Sequence, residues 1–236
     1  MGTLINCIAI LVGGLCGMLF GKFVTPRLQD GLTKTCGISV LFIGIAGALE
    51  KMLRVDGAVL TGTGTMLVVG CLALGTLVGE LLNIEHAFER FGVWLKQKTG
   101  NAKDGGFVDA FVSASLTVCI GAMAIVGAIE DGISGDWSIL AAKAVLDLII
   151  IMIMTCAMGK GCIFSAIPVG VLQGSVTLLA KLLQPLMTEA ALWNVSMIGS
   201  VLIFCVGVNL IWGKQLRVAN MLPAVLFAIA AAFLPL

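Results

Sequence analysis

Residues 137–158 read WSILAAKAVLDLIIIMIMTCAM, and their only charged members are Lys143 and Asp147. At about 1.5 Å per helical residue, this run is long enough to cross about 30 Å of hydrocarbon. It lacks the short-period polar and apolar alternation of a barrel strand. The reading is a transmembrane helix that carries a lysine and an aspartate into lipid. Seven further apolar runs extend it along the chain: residues 3–22, 35–52, 57–82, 107–130, 162–183, 194–212 and 216–235. Breakers or capping signals separate them at Thr25-Pro26, Asp56-Gly57, Gly105-Gly106, Gly132 to Asp136, Gly159 to Gly161, Pro185 and Gly213. The expectation is an all-α, polytopic helical membrane protein of about eight spans, a single membrane domain over residues 1–236. It divides into a three-span unit (1–83), a cytoplasmic amphipathic helix and linker (84–106), a two-span unit (107–160) and a second three-span unit (161–236).

Composition agrees. The chain is 59% hydrophobic and 11% charged, with 30 glycines among 236 residues and a mean hydropathy of +1.11. A soluble domain carries about 25% charged residues, so too little charge is available to cover this much apolar surface in water. A net charge of +1 without a basic run gives a nucleic-acid backbone nothing to bind. The lipid bilayer is the expected partner.

Loop charges set the orientation. Ten of the fourteen Lys and Arg fall in the odd-numbered loops: Lys22, Arg27, Lys34, Arg90, Lys96, Lys98, Lys103, Lys160, Lys214 and Arg217. Lys51, Arg54 and Lys181 fall on the other side. The positive-inside rule makes the odd loops cytoplasmic and puts both termini outside. Trp94, Trp137, Trp193 and Trp212 stand at span ends or in loops, the lipid–water boundary that indole favours. The first run has no basic segment before it and no cleavage pattern after it, so it reads as a retained helix. Residues 84–98 place Ile84, Phe88, Phe91 and Leu95 at helical spacing among charged residues, the pattern of a helix lying on the cytoplasmic surface.

Two internal similarities stand out. Gly47 to Glu50 with Asp56 and Leu60, and Gly127 to Glu130 with Asp136 and Leu140, repeat at an offset of eighty. Gly13-x-Leu15-x-Gly17 matches Gly170-x-Leu172-x-Gly174, which would make spans 6 to 8 an inverted copy of spans 1 to 3. Inverted repeats belong to secondary transporters, whose halves move around a midplane site.

Polar groups inside apolar runs are the candidate site residues. An ionised side chain at the bilayer centre costs about 2.5–3.5 kcal/mol on insertion scales, and Lys143 and Asp147, at i and i+4, share a helix face and can neutralise each other. Two readings stand. In one, the pair lines a polar cavity and binds a small solute or ion; in the other, it only ties helices together. Thr61, Thr63 and Thr65, with Gly62 and Gly64 between them, could form a broken helix that offers backbone groups to a solute, or a close helix contact. At the offset of eighty, Thr63 corresponds to Lys143, which puts both features at one depth. Glu80, near the end of its span, is a further ion-binding candidate or an interfacial carboxylate. Gln173, Asn209 and Asn220 can contact a solute or bond between helices. Gly13, Gly17 and Gly21 form a packing stripe for a helix of the same chain or of a homodimer partner.

The eight cysteines have no Cys-x-x-Cys spacing and His86 is the sole histidine, so neither a disulfide framework nor a metal site is expected. The sequence holds no nucleotide-binding or hydrolase motif, and neither an enzymatic activity nor a cofactor is expected.

Gly121 to Gly132, followed by Gly135-Asp136, Lys143 and Leu146-Asp147, resembles the signature region of domain-of-unknown-function family 554. Gly2-Thr3-Leu4-Ile5-Asn6, Ser165-Ala166-Ile167-Pro168 with Gln173-Gly174, and Arg217 to Pro223 resemble it too. The resemblance implies a bacterial inner-membrane protein. Glu130 departs from it, standing where an amide is expected. The combined expectation is a secondary transporter of a small solute or ion, of the elevator type; the alternatives are an ion channel or leak pathway, or a non-transporting membrane scaffold.

Overall fold

Backbone groups in hydrocarbon have no water to bond, so apolar runs of this length close their hydrogen bonds within helices. The computed structural model describes the chain apart from residues 22, 24, 57–58, 120–121 and 234–236. Lys22, Gly57 and Gly121, used above, lie outside the described residues. The helices are α1 (Gly2–Gly21), α2 (Pro26–Met52), α3 (Thr65–Leu82), α4 (Ile84–Lys98), α5 (Phe107–Cys119), α6 (Ala122–Ile133), α7 (Ser138–Met158), α8 (Ala166–Leu178), α9 (Ala180–Leu183), α10 (Glu189–Trp212), α11 (Val218–Met221) and α12 (Pro223–Ala231). Strands β1 (Leu53–Asp56) and β2 (Val59–Gly62) form an antiparallel hairpin between α2 and α3.

Among the described residues six segments are long and apolar enough to cross a membrane, and α5 with α6, bent by 61° from one another, makes a seventh where the pair is taken as one span. The eight expected spans are therefore corrected in three places. The third is shortened, because its first residues pair as the β-hairpin and the helix starts only at Thr65. The fourth is split near Cys119. The last is a pair of short helices within residues 218–231, less than the roughly 20 residues of a straight crossing. That pair nonetheless links the two ends of the bundle. The backbone N–H of Ala219 donates to buried Glu85 (3.2 Å), while Asn194 Nδ2, near the start of α10, donates to the Ala228 carbonyl (3.2 Å).

The two ends are held differently. At one, Asp131 accepts from the Met1 amino group (2.8 Å) and the Gly2 N–H (3.0 Å), supplying an anion to the free N–H groups at the start of α1. Trp193 Nε1 donates to the Lys51 carbonyl (3.0 Å), and the Lys51 ammonium lies 4.4 Å from the Trp193 ring centre. At the other end, Arg217 pairs with Glu80 (3.0 Å), and Lys214 pairs with both Glu85 and Glu89. Helix α4 lies at this end, with Gly92 and Leu95 buried and Leu95 clustered with Phe107 and Phe111 of α5.

Close helix approach organises the interior. In lipid there is little hydrophobic drive between helices, so small residues that let backbones meet decide the contacts. A Cβ on Gly13 would stand 2.3 Å from the Leu148 carbonyl oxygen, and one on Gly17 would stand 2.4 Å from that of Met152. The α1 stripe therefore faces α7 of the same chain, with Gly21 further off at 3.7 Å from Cys156. In the same way, Gly44 of α2 meets Phe204 of α10, and Gly75 of α3 meets Ala224 of α12. The pairs α1/α7 and α2/α10 have the most extensive contacts, whereas α2 and α7 touch over a much shorter seam. Leu4, Ile8, Leu15, Phe42, Leu74 and Leu77 remain on the outside, as lipid-facing side chains must.

A leucine at position 17 has no room against α7. Gly17→Leu is expected to cost about 1–3 kcal/mol through overpacking, whereas Gly31→Leu, whose Cβ would meet nothing within 4 Å, should be near neutral. Thermal unfolding in mild detergent measures both.

Candidate functional site

Lys143 and Asp147 lie on α7, about 7.5 Å and 13.5 Å along a helix of about 31 Å, so Asp147 is close to half-way. Their side chains are buried, at 8% and 5% exposure, and Nζ lies 2.5 Å from Asp147 Oδ2. Three further elements complete the cluster. From α1, Asn6 Nδ2 donates to Asp147 Oδ2 (3.0 Å) and to Gln173 Oε1 of α8 (3.3 Å). From α5, the Val118 carbonyl accepts from Lys143 Nζ (2.8 Å). Val118 stands near the end of α5, close to the bend between α5 and α6.

Every charge in the cluster is compensated, yet polar capacity is left over. Asn6 Oδ1 and Gln173 Nε2 are buried without a hydrogen-bond partner among the described residues, which costs about 1–3 kcal/mol for each such group. On the other flank, Lys143 and Asp147 line a cavity of about 220 Å³. Val40 and Ile43 of α2, Ser196 and Ile203 of α10, Thr117 of α5 and Met123 of α6 complete its walls. The cavity sits in the short seam between the α1/α7 and α2/α10 pairs. Its rim residues Ile43, Met123 and Leu146 are exposed on the flank of the bundle.

The structure brings Lys143, Asp147 and Gln173 together and disperses the other candidates. Thr61 is exposed on the hairpin, with its hydroxyl donating to the Arg54 carbonyl (3.4 Å), and Thr65 is exposed at the start of α3. Thr63 precedes the helix, whereas Lys143 is more than a turn inside α7, which corrects the equal depth inferred from the offset of eighty. The threonine run is hairpin and helix start, and no broken membrane helix forms there. Glu80 is 41% exposed against Arg217. Asn209 closes the turn after α10 by accepting from Gln215 and Leu216 N–H groups (both 2.9 Å), and Asn220 accepts from the Glu85 N–H (2.7 Å). Asn220 belongs to the network that anchors α4, and Asn209 shapes the loop that carries Lys214 into it. Within it, Lys214 has a pKa above the ordinary lysine value: burial opposes its charge, but hydrogen bonds and attraction from Glu85 and Glu89 outweigh that.

Asn6 and the Val118 carbonyl are additions from the structure. Asn6 could have been found as the one amide in an otherwise apolar first span. The carbonyl had no signal beyond the glycine of the Gly121 motif.

Comparison with known proteins completes the site's context. The family described as "Protein of unknown function (DUF554)" matches residues 1–233. The chain belongs to this family. The DUF554 member shares 30% identity over 232 residues with the "Uncharacterized protein YqgA" of Escherichia coli (strain K12), covering 97% of this chain and 94% of that one. It shares 24% identity over 225 residues with the "Uncharacterized membrane protein YdfK" of Bacillus subtilis (strain 168), covering 95% and 92%. No solved structure matches it. It is a multi-pass membrane protein.

Breaking a buried ion pair by removing one partner costs about 3–5 kcal/mol, whereas replacing both by apolar groups is often neutral. Lys143→Met is therefore expected to lower stability by about that amount, and Lys143→Met with Asp147→Leu to recover most of it. A denaturation series in detergent would resolve the difference.

Proposed function

We propose that this DUF554 protein is a secondary transporter of a small solute or ion in the bacterial cytoplasmic membrane. The observation that carries the reading is the paired Lys143 and Asp147 at a helix break, beside a cavity of about 220 Å³ that lies in the seam between two tightly packed helix pairs. Discontinuous helices with free carbonyls, facing a site at the interface of two moving parts, are how transporters hold solutes inside the bilayer.

The packing supports an elevator-type movement. Helices α1, α7 and α8 surround the charged cluster, while α2, α10 and α12 form the opposing surface, and contact across the seam is the smaller. Sliding of one group along the other would carry the cluster from one face of the membrane to the other. The contacts also suit the inverted repeat: α1 packs on α8, α2 on α10 and α3 on α12, so each helix of the first unit touches its counterpart in the second. A two-fold axis in the membrane plane generates such pairs. With the basic loops in the cytoplasm, both termini face outward.

Reconstituted protein in liposomes should take up a saturable solute in a broad screen by uptake and current, and Asp147→Asn should abolish that uptake. Uptake of the same solute that survives both Asp147→Asn and Lys143→Ala would contradict the site. Conductance without saturation or counter-flow would identify a channel. Absence of flux, with a soluble partner whose binding is lost on deleting residues 84–98, would identify a scaffold.

A further inference from the structure

We infer that the solute held by Lys143 and Asp147 is a small zwitterion with an apolar body, the chemical class of the neutral amino acids. This rests on the site proposed above and adds the identity of what it takes.

The argument begins with charge. The two side chains lie within a hydrogen-bond length of each other and both are nearly sealed from the surface. A lone anion that drew Lys143 away would strand Asp147 as an unpaired carboxylate in a medium of low dielectric, and a lone cation would strand Lys143. A zwitterion brings one opposite charge to each. Its carboxylate meets the ammonium of Lys143, its ammonium meets the carboxylate of Asp147, and the site is neutral with the pair closed or opened. No proton has to be moved.

The uncharged polar groups suit the same ligand. An ammonium has three donors, so it needs acceptors beyond one carboxylate. Thr117, which lines the cavity, spends only its proton on the Ser113 carbonyl (2.8 Å) and keeps its lone pairs. A carboxylate needs donors, and beside the Lys143 ammonium Ser196 offers a hydroxyl in the cavity wall.

Size and lining define the rest of the molecule. A volume of about 220 Å³ corresponds to roughly seven waters at about 30 Å³ each, enough for a solute of a few carbon atoms. The remaining walls, including Val40, Ile43, Ile150 and Ile203, are aliphatic. They favour an apolar body over a sugar or a polyol, whose hydroxyls would lose water without finding partners.

The test compares three matched probes on the full-length protein in detergent: leucine; 3-methylbutylamine, which lacks its carboxylate; and 4-methylpentanoate, which lacks its ammonium. Ligand-induced shifts of the unfolding midpoint report binding, with alanine, valine and serine tested alongside. The expected result is that one or more of the neutral amino acids binds, and that removing either charge weakens binding about tenfold or more. Lys143→Gln should abolish the preference for leucine over the amine, a readout that a merely structural role would not move. The uncharged Lys143→Gln/Asp147→Asn protein should bind none of the three. Equal binding of a singly charged analogue, or no binding of any neutral amino acid, would overturn the inference. The two proposals fail separately. Binding without uptake sinks transport and leaves this inference standing, whereas Asp147-dependent uptake of a solute of another class does the reverse.

Discussion

A lysine and an aspartate can stay ionised inside hydrocarbon only as a compensated pair, and that requirement accounts for the arrangement around α7. With Asp147 near the middle of the helix and Lys143 one turn before it, the charges share a face. Their remaining hydrogen-bonding capacity calls for polar groups from other elements. Asn6 and Gln173 answer from α1 and α8, and Val118 answers from the end of α5. These interactions are directional, so they fix which helices may surround α7 and at what height. The glycine stripe of α1 then allows the approach: without Cβ atoms at 13 and 17, the α1 backbone lies against α7 carbonyls and brings Asn6 within reach of Asp147.

The interruption of the fourth span belongs to the same constraint. The Val118 carbonyl near the end of α5 accepts from the Lys143 ammonium. The cluster compensates its charges while Asn6 Oδ1 and Gln173 Nε2 stay unpartnered among the described residues.

Much of this was legible in the sequence because lipid imposes strong rules. The class, the runs that became α1, α2, α7 and α10, the amphipathic α4 and the prominence of Lys143 and Asp147 follow from hydropathy and the scarcity of charge. What was not legible depended on distance between elements. Thr61 to Thr65 looked like a broken helix because glycine and threonine weaken helices in any setting, and only the pairing of Thr61 with Arg54 and of Gly62 with Leu53 revealed a hairpin. Asn209 and Asn220 appeared equivalent to Gln173, yet their partners at the α4 end place them in a different network. The residues opposite the pair could not be read because Asn6 and Val118 are 141 and 29 positions from Asp147, and no local period connects them.

The central claim is that the pair receives solute as well as joining helices. The most direct measurement is the rate of amino-acid uptake into liposomes by the Lys143→Met/Asp147→Leu protein, in which apolar side chains replace both charges and helix packing is retained. The account predicts a folded, monodisperse protein whose uptake falls to the level of empty liposomes. Uptake at the wild-type rate would mean that the pair only holds helices together, and would contradict it.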